Sequence, residues 1–308
     1  MGASSNTINA PVKKVRTRLQ REARIAYWII IPIFSYIAFW NLIPLILGVL
    51  MGFTEFNALR PPTWVGLHNY NRFFTTGIYT TLLWRQIWLG GLCLIINTVL
   101  SFFVGLALNV KSRARGFFRA CVYVPAVAAV SVTTAVFVAL LDPVSGGANR
   151  FLVSLGMDPV IWNHSQFWMA FWIVVFFVWR SLGTAAIIWL GGLQGIDPSQ
   201  YEAAKVDGAS FWQQVLYITI PGLRFVSAFI ILTGIISVMQ MFDVVMFISR
   251  GNPFGQTDIL MYRIFRDGTV NFNLGMAGAS STVLGIFTMF FAVLYFTYMT
   301  RREEKMNE

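Results

Sequence analysis

Six long apolar runs, near residues 26–53, 86–110, 120–141, 167–190, 225–249 and 276–299, constrain this chain more than any other feature. Each is long enough to cross about 30 Å of hydrocarbon as a helix, which takes roughly 20 residues. The whole chain is 56% hydrophobic and only 12% charged, too apolar for an ordinary soluble domain. The expected fold is therefore an all-α membrane protein with six transmembrane helices. Residues 26–299 form the membrane domain, between a basic leader at 1–25 and a short tail at 300–308.

The leader carries Lys13, Lys14, Arg16, Arg18, Arg21 and Arg24, which raises the question of a cleaved signal peptide. The apolar run behind it is too long for a signal core and no small-residue cleavage site closes it, so a retained helix is expected. Counted over the connecting segments, fifteen Lys and Arg fall on the side of both termini and seven on the other. The positive-inside rule then makes both termini cytoplasmic. The formal charge of +10 is spent in these short flanks, so it does not call for nucleic acid. Cys93 and Cys121 both fall in spans, so the sequence supplies no argument for a disulfide framework or a zinc site. His68 and His164 stand alone on the outer side, so no metal site is expected. Trp64, Tyr70, Phe73 and Phe74 suit the outer interface.

Between the fourth and fifth runs lies a polar segment, residues 197–221. Asp197, Pro198 and Gln200 read as a helix start, with Asp197 as N-cap, Pro198 at the first helical position and Gln200 completing a capping box. Asp207-Gly208 stops that helix, and Ser210 with Gln213 opens a second one that runs to Pro221. Two short helices about a glycine turn make a shape that docks into something. An interfacial helix lying in the headgroups is the alternative, but such helices carry a lysine-rich polar face. Here the charged residues are Glu202, Lys205 and Asp207, interleaved with small Ala203, Ala204, Gly208 and Ala209, which fits a protein partner better.

The stretch EAAKVDGASFWQQVLYITIP resembles the cytoplasmic EAA loop of bacterial binding-protein-dependent ABC importer permeases. Glu202, Ala203, Ala204, Asp207, Gly208, Ala209, Ile218 and Pro221 match its pattern. The lead-in LGGLQGIDPSQY, with WVGLHNY, VYVPAV and FDVVMFISRGNP elsewhere, is similar to the maltose-type sugar branch, over nearly the whole chain. The resemblance implies a type I importer permease fold in the bacterial inner membrane. Residues 197–221 would then be the coupling segment in the cleft of an ATPase, with Tyr201, Ser210 and Phe211 among its contacts. Its implied partners are a second homologous permease subunit, two ATP-binding cassette ATPase subunits, an extracytoplasmic solute-binding protein, a saccharide and membrane lipid. ATP and Mg would be held by the ATPase subunits, because this chain has no G-x-x-x-x-G-K-[ST] phosphate loop and no catalytic residues of its own.

An ionisable residue inside a span is a functional candidate by default. Arg180 and Asp243 are the two here. Alignment to the resembled family places substrate-lining positions at Ala126 and Val130, at Phe177, Arg180 and Ser181, and at Gly234, Val238 and Met241. Spacings of three and four put each set on one helix face. Most of these positions are apolar, a departure from the maltose permease that leaves the sugar's hydrogen bonds to be found elsewhere. Phe177 offers stacking to a sugar ring, and Arg180 suits a carboxylate or phosphate, so an acidic saccharide is one reading. A permease for another solute, such as glycerol phosphate or a polyamine, is the alternative. A membrane enzyme would need clustered His, Asp or Glu, which the spans lack apart from Asp243. A self-gated channel would have no use for a coupling segment.

Overall fold

The computed structural model describes residues 12–57, 60–110, 112–251 and 255–307. The first eleven residues, Lys111, and the side chains of Lys13, Lys14, Arg16, Arg18, Arg21, Arg302 and Lys305 lie outside the described residues, as does Pro253. The chain divides into two units, residues 1–50 and 51–308. In the first, α1 (Val12–Ile37) runs through a π-helical turn at Ala38–Leu42 into α2 (Ile43–Met51). Within this unit Trp28, Phe34 and Trp40 of the apolar stretch are exposed, an apolar surface suited to lipid.

The second unit opens with a small antiparallel hairpin, β1 (Thr54–Glu55) with β2 (Thr63–Trp64), then α3 (His68–Thr75). Helix α4 (Ile78–Asn109) starts eight residues earlier than the apolar run indicated, because Gly77 in the left-handed region (φ 71°) turns the chain directly into it. Then follow α5 (Arg115–Val127), α6 (Val130–Leu140), α7 (Gly147–Ser154) and α8 (Gln166–Gln194), the last capped by the Ser165 hydroxyl accepting from the Trp168 N–H. The connecting segment holds α9 (Pro198–Val206), α10 (Phe211–Gln214), a π-helical turn at Val215–Thr219 and α11 (Ile220–Gly222). The chain closes with α12 (Arg224–Met239), α13 (Leu260–Thr269) and α14 (Leu274–Asn307).

Four helices are each long and apolar enough to span: Glu22–Met51, α4, α8 and α14. Two helix pairs meet the same length and apolarity requirement only when taken together, α5 with α6 bent by 95° and α10–α11 of the connecting segment with α12 bent by 70°. Counting each bent pair as one span gives up to six among the described residues, and the third and fifth are not the single rods that the sequence indicated. In the third, Pro125 has no N–H to give to the preceding turn, and Ala128 and Ala129 leave the helix with extended backbone (ψ 142° and 135°). In the fifth, helix ends at Met239, three residues pass without it, and the chain resumes as a π-helical turn at Val245–Ser249.

The core is built where α4, α8 and α12 cross at glycines. A Cβ on Gly105 of α4 would lie 2.7 Å from Cβ of Trp189, and one on Gly234 of α12 would lie 2.4 Å from Leu94 Cδ1. Small residues at such crossings let backbones approach closely enough to pack without a hydrophobic drive between helices. At the end of the bundle away from α9–α11, α13 is pinned by the buried Asp267. Its carboxylate accepts from Tyr79 Oη at 2.8 Å, Arg263 Nε at 3.2 Å and Asn271 Nδ2 at 2.8 Å. Phe73, expected at the interface, is instead fully buried against Tyr79 and Met276, because α3 folds back over the start of α4 and α14.

Candidate functional site

Local sequence builds the segment at 197–222 almost as read. The Asp197 carboxylate accepts from the Ser199 N–H at 2.9 Å, and Pro198 follows at the first helical position. That bond holds the Asp197 carboxyl below its ordinary pKa. The expected Gln200 half of a capping box does not form, since Asp197 bonds one residue earlier in a tight turn closed by its own side chain. Helix α9 ends as a Schellman motif: Ala209 N–H reaches Ala204 O at 2.8 Å and Gly208 N–H reaches Lys205 O at 3.1 Å. The motif requires a left-handed residue, supplied by Gly208 at φ 77°.

Ser210 and Gln213 form the reciprocal box, with Ser210 N–H donating to Gln213 Oε1 at 2.7 Å and Gln213 N–H to Ser210 Oγ at 3.4 Å. The two arms are tied by Tyr201 Oη and Thr219 Oγ1, 2.9 Å apart. Glu202, Ala203 and Asp207 face outward, and so do Val206, Phe211, Trp212 and Tyr217. Pro221 is exposed in α11, one residue before the 70° bend into α12. A cavity of about 410 Å³ separates this segment from the end of α4, lined by Phe103, Leu106, Tyr201 and Phe211.

The second group of residues meets in mid-bundle. Two adjoining cavities of about 260 and 220 Å³ share Phe177, Arg180, Ser181 and Ser237. The first adds Gln240, Met241 and Asp243, and the second Asn97, Ala126, Gly234 and Val238. Eight of the nine sequence-selected positions therefore come together. Val130 is the exception, lining neither cavity. Its spacing of four from Ala126 assumed a continuous helix, and the bend at Ala128–Ala129 falls between them. The same logic fails for Val238 and Met241: they line different cavities, since α12 ends between them.

Arg180 is half-buried and its Nε has no partner among the described residues. Asp243 accepts from its neighbour's N–H, Val244, at 2.9 Å, and no ion pair joins it to Arg180 among the described residues. Asn97, with an unpartnered Oδ1, and Ser237 and Gln240 escaped the sequence reading, which sought ionisable groups in the spans. Their signal was there, as neutral amides and hydroxyls inside apolar runs. They supply hydrogen-bonding capacity missing from the selected positions.

A capped helix–turn–helix segment at the end of a bundle with a polar centre has counterparts among known proteins. The family model for binding-protein-dependent transport system inner membrane components matches residues 97–307. This chain belongs to that family, and is a multi-pass membrane protein. It is 28% identical to the trehalose/maltose transport system permease protein MalF of Thermococcus litoralis, over 90% of this chain and 92% of that one. It is 27% identical to the sn-glycerol-3-phosphate permease UgpA of Yersinia enterocolitica, over 77% and 81%. Its fold matches a bacterial ABC transporter that imports the acidic polysaccharide alginate, at 20% identity and TM-score 0.83, covering 94% of this chain and 99% of that one. A second structure of an alginate importer, in complex with its pentasaccharide-bound periplasmic protein, aligns at TM-score 0.82, 21% identity, 95% and 98% coverage.

Proposed function

We propose that this chain is a permease subunit of an ATP-driven saccharide importer, both termini cytoplasmic, with residues 197–221 as its coupling segment. The observation that carries the reading is the pair of adjoining polar cavities inside an otherwise apolar bundle. An unpartnered guanidinium, an aromatic ring and several neutral amides and hydroxyls are what a sugar with an acidic group requires. Phe177 offers a face to the ring, Arg180 pairs with a carboxylate, and Asn97, Ser237 and Gln240 bond hydroxyls. The relatives that carry trehalose, maltose and alginate support the saccharide class.

The complete transporter adds a second homologous permease, two ATPase subunits holding ATP and Mg, and an extracytoplasmic binding protein. Closure of the ATPase dimer moves the segment gripped by Glu202, Ala203, Ala204, Asp207, Gly208 and Phe211. That motion rocks the broken spans between two packings. Uptake of a panel of neutral and acidic oligosaccharides and glycerol phosphate into proteoliposomes tests the substrate class. Preferential uptake of a saccharide supports it, and preference for glycerol phosphate with no saccharide uptake overturns it.

A further inference from the structure

Gln86 lies on α4, two turns into the helix, and none of its surface is exposed. Its Nε2 donates to Val238 O at 2.6 Å, and its Oε1 accepts from the Met261 N–H at 3.2 Å. Those two backbone groups are orphans of two helix ends. In a continuous fifth span Val238 O would accept from the N–H of Phe242, four residues on, but α12 ends at Met239. Met261 is the second residue of α13, so its N–H precedes the first intrahelical bond. Val238 O lies in the buried interior and the Met261 N–H is part-buried, next to the fully buried Leu260. An unmade bond at either would cost the desolvation of that group. A primary amide donates and accepts at once, and the two partners allow only one orientation of it.

We infer that Gln86 is a positioning residue for translocation: it fixes the end of α12 and thereby sets Gln240, Met241 and Asp243 on the wall of the cavity that holds Arg180. This rests on the transport reading above. One turn further along α4, a Cβ on Gly90 would lie 3.1 Å from Val238 Cβ, so the two helices are in close contact at this carbonyl. Without Gln86, Val238 O regains its lost bond by extending α12 through residues 240–242. Helical rotation of about 100° per residue then swings Met241 and Asp243 off the wall.

Glutamate and leucine separate this role from packing. Leucine makes neither bond, while glutamate accepts from Met261 at any pH but donates to Val238 only when protonated. The charged and titratable groups on the packed elements are Tyr79, Arg85 and Cys93 on α4, Arg224 on α12 with Asp243 beyond it, Asp258 ahead of α13, and Tyr262, Arg263, Arg266 and Asp267 on α13. Arg85 donates to Gly255 O, Arg263 to Asp267 and Val244 N–H to Asp243, so none of these bonds Gln86.

In proteoliposomes holding the full complex, Gln86→Leu should lower kcat/KM for the transported saccharide about tenfold at every pH, relative to the unmodified complex. Gln86→Glu should fall equally at mildly alkaline pH and recover most of that loss at mildly acidic pH. A flat Glu profile, whether impaired or not, overturns the inference while leaving importer function intact. If the Leu variant fails to reach the membrane, the Glu profile decides alone. Deuterium exchange at the Met261 amide reads the clamp without any substrate: slow exchange in the unmodified complex is expected, and fast exchange overturns the clamp whatever is transported.

Discussion

Gly208 carries the turn of the proposed coupling segment, and its substitution gives a graded test. The residue sits at φ 77° with no atom within 4 Å of where a Cβ would stand, so replacement meets no steric obstacle and the cost is backbone strain alone. Holding an L-residue in the left-handed region costs about 1–2 kcal/mol, less for asparagine and more for a β-branched side chain. A loss of that size lowers the population of the intact turn about 5–30-fold. The order Gly, Asn, Ala, Val should therefore describe saccharide-stimulated ATP hydrolysis by the assembled transporter, from highest to lowest, with normal membrane yield throughout. A Gly208→Val complex with undiminished stimulation would refute the argument, because no contact exists to compensate for the strain.

Glu202→Lys should abolish uptake while leaving the protein in the membrane, since the side chain is exposed and its folding role is small; normal uptake would remove it from the coupling contact. Arg180→Ala should reduce kcat/KM for an acidic oligosaccharide at least about tenfold more than for a neutral one, the ratio expected when a charge-assisted hydrogen bond is lost. Equal losses would make Arg180 a structural residue. Gly183→Ala would put a Cβ 2.2 Å from Val122 O where α5 crosses α8. Overpacking of that kind costs about 1–3 kcal/mol, so Tm in detergent should drop, and an unchanged Tm would contradict so close a crossing. Because the folded Asp197 carboxyl titrates below its unfolded value, its cap stabilises α9 fully above the unfolded pKa and is lost as pH falls through the lower folded one. Asp197→Asn should keep Ser199 amide protection without that pH dependence, and Asp197→Ala should lose it at all pH values.

Signals that act over one turn were legible in the chain. Asp207-Gly208 and Ser210-x-x-Gln213 each encode a stop or a start within four residues, and the structure forms both as read. Apolar runs located the spans because lipid thickness sets their length. Helix continuity was not legible. Pro125 was visible, yet the break falls three residues later, where extended Ala128 and Ala129 have no sequence mark of their own. Met239, Met241 and Phe242 look as apolar as the residues before them, and the break there is closed by Gln86, more than 150 residues away in the chain. Val130 dropped out of the candidate site for the first reason, and Met241 reached its cavity through the second. The polar residues Asn97, Ser237 and Gln240 went unnoticed because a charge in a span is conspicuous and an amide is not.

The central claim is that residues 197–221 couple this bundle to an ATPase. Its most direct test is a cysteine cross-link from Val206, 88% exposed on the coupling helix, to the co-purified ATPase, scored alongside saccharide-stimulated hydrolysis in lipid. The account predicts a specific cross-linked product and hydrolysis that rises with saccharide-loaded binding protein. An ATPase that neither co-purifies nor cross-links, with turnover indifferent to every saccharide, would contradict it and return the segment to a helix lying in the headgroups.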